Sequence, residues 1–178
     1  MDPSDPQRLV VVQMSGGPGS GKSTLARSLA ARLPALVLEM DLITQALLDR
    51  GAQGELIFAS YDSVQALTGS MLDQKHSVVL DGPVYRDWVV EGSRRVAADR
   101  GAGWVMIECH CPDDAILNDR LAKRTSLPFQ ARSAEPVRRF TVAAPQKLVV
   151  DTRQPLEQCV TQALAHVEQA LASLSPPA

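Results

Sequence analysis

The 178-residue chain is short of several features that would place it in other classes. It has three cysteines, an odd number too small for a disulfide framework: Cys109 and Cys111 lie two apart and Cys159 stands alone. Reduced, structural thiols in a reducing compartment are expected. Cys109-His110-Cys111 at a strand end does not by itself supply the four ligands of a metal cage. Positive charge is not in excess either. Lys and Arg number 18 against 20 Asp and Glu, for a formal net charge of −2 and a pI near 5.9. That balance argues against a general nucleic-acid binder but leaves room for a local basic patch. No apolar run approaches the roughly 18 residues of a membrane span. The opening MDPSDPQRLVVVQM lacks the basic segment and long apolar run of a secretory leader, so a cytoplasmic location is expected. With no internal repeat, low-complexity segment or linker, the length suits one domain over residues 1–178, with a frayed tail at 174–178.

What the chain does have is apolar strands alternating with helical periods. RLVVVQM (8–14), ALVLEM (35–40), SVVLD (77–81), WVMIEC (104–109) and KLVVD (147–151) read as buried strands. Leu25, Leu29 and Leu33 mark a first helix, stopped by Pro34. Helices follow over 41–50, closed by Gly51, and over 55–75, with Ile57, Tyr61, Val64, Leu67 and Met71 on one face. Another runs over 86–100, closed by Gly101. Pro112 is expected in the first turn of a helix holding Ile116, Leu117 and Leu121. Leu156, Val160, Leu164, Val167 and Leu171 mark the last helix. This alternation implies an α/β fold with a parallel sheet covered on both faces, whose ligands bind at the carboxyl ends of the strands.

Residues Gly16-Gly17-Pro18-Gly19-Ser20-Gly21-Lys22-Ser23 match G-x-x-x-x-G-K-[ST] in full. Such a match arises by chance in about one chain per hundred of this size, and this one follows a strand and opens a helix. Glycines let backbone N–H groups converge on phosphate oxygens, and the helix N-terminus adds partial positive charge. Lys22 is expected to reach the β- and γ-phosphates of ATP and the Ser23 hydroxyl to hold Mg²⁺; Thr24 belongs with the same nucleotide-binding segment. The guanine-reading N-K-x-D motif and the L-S-G-G-Q signature of transporter ATPases are absent, and the chain looks short for a ring ATPase with a helical subdomain. A compact enzyme passing the γ-phosphoryl group to an acceptor remains.

Two carboxylates share the expected rim. SVVLD ends in Asp81, the Walker B pattern, expected to hold Mg²⁺ directly or through water; a structural turn with Gly82-Pro83 is the alternative. In ALVLEMDLITQ, Asp41 stands where the strand stops, as a helix cap, a metal ligand or a catalytic base. Glu39, two residues earlier, is a candidate support for Asp41 or Mg²⁺. Between residues 120 and 139 lie Arg120, Lys123, Arg124, Arg132, Arg138 and Arg139 against the single acid Glu135. The weakly periodic stretch 125–145 has the length of a lid. A lid arginine can neutralise the transferring phosphoryl group and exclude water, with Arg124 the first candidate, Arg120 the second and Arg132 the third.

These pieces, MSGGPGSGKSTLA, EMD, VVLDGPVYRDW, ECHCPDDAILNDRLAKR and LVVDT in that order, resemble the small P-loop kinases of the polynucleotide-kinase, zeta-toxin, gluconate-kinase and chloramphenicol-phosphotransferase type. The resemblance spans nearly the whole chain. It implies a five-stranded parallel sheet in the order 2-3-1-4-5, Asp41 as the base acting on an acceptor hydroxyl, a lid arginine at Arg120 or Arg124, and adenine contacts at Thr152 or Arg153. Leu127-Pro128-Phe129 makes the lid more apolar than in enzymes that grip nucleotides, which favours a small organic acceptor. Arg86 and Tyr85 are candidate acceptor contacts. Tyr61 is a third, its helical spacing leaving core packing as the alternative; Trp88 and Val89 are expected to face the core. The expected activity is an ATP- and Mg²⁺-dependent phosphotransferase with a small-molecule acceptor. The alternatives are a nucleic-acid 5′-end kinase and a nucleotide-dependent switch binding a protein partner.

Overall fold

The computed structural model describes residues 8–53, 55–124, 127–128 and 142–173. Most of the expected lid, with Phe129, Arg132, Arg138 and Arg139, and the tail at 174–178 lie outside the described residues.

The elements run β1 (Val10–Ser15), α1 (Lys22–Ala30), β2 (Ala35–Glu39), α2 (Met40–Asp49), α3 (Leu56–Asp73), β3 (Ser77–Asp81), α4 (Asp87–Ala98), β4 (Gly103–His110), α5 (Asp114–Lys123), β5 (Lys147–Asp151) and α6 (Leu156–Ala172). The strands form one five-stranded sheet in the order β2-β3-β1-β4-β5. Every neighbouring pair is parallel, as βαβ connections require. The fold class and strand order are those expected.

Strand alternation splits the core into two layers. Val10, Val12 and Met14 face one side with Val79, Val105 and Ile107, and there meet Leu25 and Leu29 of α1 and Val160, Ala163 and Val167 of α6. Val11, Val78, Leu80 and Met106 face the other side, against Tyr61, Val64 and Leu72 of α3 and Val89, Val90 and Ala97 of α4. The central strand is buried along its whole length, which is why β1 reads as an unbroken apolar run before Gln13.

Three local expectations shift. Helix α5 starts at Asp114, capped by Asp113, whose carboxylate accepts from the Ala115 and Ile116 N–H groups; a side-chain cap ends the fray there, and Pro112 lies before the helix rather than in its first turn. On α3 the buried stripe runs through Ser60, Tyr61, Val64, Thr68 and Leu72, leaving Leu67 41% exposed. The hydroxyls bend that stripe inward because each has a partner: Thr44 of α2 donates to Ser60 at 2.8 Å, and Ser60 and Thr68 donate back to Leu56 and Val64 carbonyls. Leu156, expected on the packed face of α6, is 41% exposed at its first turn. Among the described residues no helix is long and apolar enough to cross a membrane.

Leu29 is fully buried between α1 and the sheet, whereas Leu36 on the edge strand is 39% exposed. Leu29→Ala is expected to cost about 3 kcal/mol in chemical denaturation, and Leu36→Ala under about 1 kcal/mol.

Candidate functional site

Parallel strands bring the ends of β1, β2 and β3 to one rim, and the turn from β1 into α1 passes over it. That turn is residues 16–21. Gly16, Gly19 and Gly21 adopt φ of 135°, 76° and 85°, conformations that L side chains avoid. Space is as restrictive as φ: a Cβ on Gly16 would lie 2.6 Å from the Cys109 carbonyl oxygen and from Ser20 Oγ, and one on Gly19 would lie 3.1 Å from the Leu117 carbonyl oxygen. The loop is therefore pressed onto the end of β4 and onto α5.

Helix α1 opens at Lys22 with Gly21 in the cap position, so no side chain caps its N–H groups, and no acid stands in its first turn. Its positive end is left for an external anion. Ser20 Oγ is buried in the loop without a hydrogen-bond partner, as is Ser15 Oγ at the end of β1. An orphaned hydroxyl beside an uncapped helix N-terminus fits a phosphate-bearing nucleotide. Ser23, half-buried in the first turn of α1, and Asp81 offer the oxygen donors suited to Mg²⁺.

Lys22 Nζ donates to Asp81 Oδ1 at 2.8 Å, with side chains 12% and 4% exposed. The structure thus brings the two key charges of the loop and of β3 together across the sheet. Cys109 lies beneath them; burial pushes its thiol up to about 12, opposed by the Lys22 charge. The thiol is protonated and inert at neutral pH.

On the acceptor side, α2 begins one residue before Asp41, with Glu39 at the cap position and no side-chain cap bond. Asp41 thus lies inside the first turn and is not the cap. Its Oδ2 is 3.8 Å from Arg124 Nη2, so the carboxylate and the basic residue after α5 face one another, at 25% and 36% side-chain exposure. Glu39 is instead drawn to Arg27 of α1, which donates to both its oxygens at 3.0 to 3.1 Å, and so is turned to a partly exposed ion pair rather than toward Asp41.

Arg120, four residues before Arg124, is committed elsewhere. It donates to the Thr152 carbonyl at 2.7 Å, to Thr152 Oγ1 at 3.2 Å and to the Gly19 carbonyl at 3.4 Å. The loop after β5 is thereby fastened to the phosphate loop, and Thr152 is itself buried and donates from its N–H to the His110 carbonyl at 2.9 Å. Arg153 points to Asp151, whose carboxyl its hydrogen bonds hold down to about 2.

Of the candidate acceptor contacts, Tyr61 is buried at 5%, as its helical spacing allowed, and its hydroxyl donates to the Pro83 carbonyl. Burial, then the nearby Tyr85 and Asp41 charges, raise its phenol pKa. Tyr85 is 38% exposed, and burial followed by Asp41 raises it as well. Arg86 is exposed at the head of α4. Val89 is buried and Trp88 partly so, packed against the second core layer. Sequence reasoning missed Phe58, stacked on Trp88 at 5.1 Å, although its position three residues before Tyr61 on α3 places both on one helix side. It also missed the part-buried pair of Lys147 and Glu108 at 3.1 Å, which two strand residues far apart in sequence do not signal.

A family model described as AAA domain matches residues 11–141. An uncharacterized protein of Mycobacterium tuberculosis is 32% identical over 130 residues, 66% of this chain, and the chain spans only about a quarter (26%) of that relative's length. Among solved structures, an unliganded sugar kinase from Janibacter sp. aligns with a TM-score of 0.66 at 22% identity, covering 95% of this chain and 99% of that one. The Mycobacterium tuberculosis APS kinase in complex with AMPPNP and APS aligns with a TM-score of 0.71 at 18% identity, covering 92% and 99%. The fold is that of the P-loop kinases.

Gly16→Ala is expected to weaken binding of a fluorescent ATP analogue more than tenfold, since its Cβ would displace either the β4 end or Ser20. Lys22→Ala leaves Asp81 buried without its lysine, so it should also lose about 3 kcal/mol of stability in urea titration of the nucleotide-free protein. Pairing it with Asp81→Leu should recover most of that loss but not nucleotide binding.

Proposed function

This chain belongs to the AAA domain family, and we propose that it acts as an ATP-dependent phosphotransferase, moving the γ-phosphoryl group to a hydroxyl of a small molecule. The supporting observation is the position of Asp41: a carboxylate in the first turn of α2, facing Arg124 at 3.8 Å, on the strand-end rim that also carries the Lys22–Asp81 pair. A nucleotide hydrolase needs the loop and Asp81; a second carboxylate paired with an arginine beside them suits an acceptor hydroxyl.

In this reading the N–H groups of the loop, Ser20 and Lys22 hold the β- and γ-phosphates. Ser23 and Asp81 would hold Mg²⁺, which when bound neutralises phosphate charge. Asp41 orients the acceptor hydroxyl and takes its proton. The hydroxyl oxygen bonds to the γ-phosphorus, the bond from γ-phosphorus to the β–γ bridging oxygen breaks, and ADP leaves. Arg124 turns from Asp41 to the transferring group, while Arg120, tied to Thr152 and Gly19, keeps the adenine side of the site in place. Arg153 lies on that side and Arg86 on the acceptor side. Little covalent chemistry is asked of the protein, so positioning and charge supply the rate. The sugar kinase and APS kinase that share the fold support a small-molecule acceptor.

A coupled ADP-release assay over sugars, aryl alcohols and nucleosides tests this. With an accepted substrate, Asp41→Ala and Asp41→Asn should each lower kcat by about 10²- to 10⁴-fold. Full turnover in both variants would remove Asp41 as the base. Arg124→Ala should lower kcat more than it raises the KM for ATP, and Arg120→Ala the reverse.

A further inference from the structure

Aromatic residues are scarce in this chain, at 4% of its composition. Among the described residues, both tyrosines, one of the two tryptophans and Phe58 nonetheless gather between α3 and the start of α4. The Phe58 ring stacks on Trp88 with centroids 5.1 Å apart and planes 19° from parallel. Tyr61 meets Trp88 edge-on, at 5.1 Å and 83°. The inner part of this group is fixed: Tyr61 is buried and its hydroxyl donates to the Pro83 carbonyl, Trp88 leans on the core layer, and the Thr44–Ser60 hydrogen bond holds α3 against α2. The outer part is open: Phe58 is 46% and Tyr85 38% exposed. The group also packs against the helix that carries Asp41: the Thr44–Ser60 bond joins α3 to α2, and both tyrosines feel the Asp41 charge.

We propose that Phe58 and Tyr85, backed by Trp88 and Tyr61, form a stacking subsite for the acceptor, and that the acceptor is a hydroxyl compound carrying a ring with a flat apolar face. The inference rests on the phosphotransferase reading and adds the acceptor's class to it. With Phe58 already stacked on the fixed Trp88 ring, a flat partner on its open face is bound at little cost in that side chain's entropy. Stacking on Phe58 and Tyr85 leaves a ring substituent free to carry its hydroxyl to Asp41, where the transfer described above takes place.

The experiment has a binding arm and a kinetic arm, both on the full chain. With Mg·ADP in the nucleotide site, phenyl β-D-glucoside and 2-phenylethanol are titrated while tryptophan emission is followed, and glycerol and mannitol serve as ringless controls. Saturable change with the aryl compounds alone, lost in Trp88→Phe, is expected. In the kinetic arm, Phe58→Leu keeps apolar bulk without a ring and should raise KM for an aryl acceptor about tenfold, with most of the loss in kcat/KM lying in KM, and Phe58→Tyr should restore it. Ringless polyols turned over with the same kcat/KM, or a Phe58→Leu KM equal to the native one, would overturn the subsite while leaving the kinase reading intact. Saturable aryl binding at Trp88 with no transfer to any compound would overturn the acceptor role of these rings and count against the kinase reading, leaving an aryl-binding site of another kind. No aryl response in either arm overturns the subsite.

Discussion

The ion pair between Lys22 and Asp81 is the contact on which the site turns. It joins the first residue of α1 to the last residue of β3, and it exists because the parallel register sets the end of β3 beside the end of β1. A buried ion pair is an expensive way to hold two elements together, since desolvation consumes much of the attraction. Apolar residues would fasten the same elements at no greater cost in stability. A pair of charges is what the rim needs if it is to receive polyphosphate, and the fold keeps them neutralised against one another in the meantime.

Helix α5 connects the two halves of the site. Arg120 and Arg124 stand four residues apart, one helical turn, yet they serve opposite sides. Arg120 closes the joint between the phosphate loop and the loop after β5, whereas Arg124, just past the last helical turn, reaches the carboxylate at the head of α2. A small tilt of α5 therefore moves both ends of the site together. Leu117 of the same helix is buried and its carbonyl lies under Gly19, so the helix is seated on the loop and not merely near it.

Much of this was legible in the sequence. Five apolar runs separated by helical periods gave the parallel sheet, because strands buried on both faces need uninterrupted apolar residues. The glycine-rich loop and the carboxylates at the ends of β2 and β3 follow from the rule that parallel sheets gather their strand ends on one rim. Less legible was where a side chain turns. Glu39 shares its strand end with Asp81 in register, but a reachable arginine on α1 claims it, and nothing near Glu39 in sequence announces Arg27. Pro112 looked like a helix start because proline suits a first turn, yet the stronger capping carboxylate of Asp113 sets the boundary. Leu67 fell on the wrong side because hydroxyl residues, counted as polar, were satisfied inside and took the buried stripe. Each miss comes from a long-range or side-chain partner that local periodicity does not contain.

The strand order also governs how the molecule can be made. β1 is the central strand, and Val11 is flanked by Val78 of β3 on one side and by Trp104 of β4 on the other. During synthesis β1 therefore precedes both of its partners: β3 follows only after α1, β2, α2 and α3, and β4 only after α4 as well. Loop closure must come before these long-range pairings reward it. Until β4 is out, the first strand and the glycine loop behind it have no floor, so the ligand-binding rim cannot take its shape before β4 has been made.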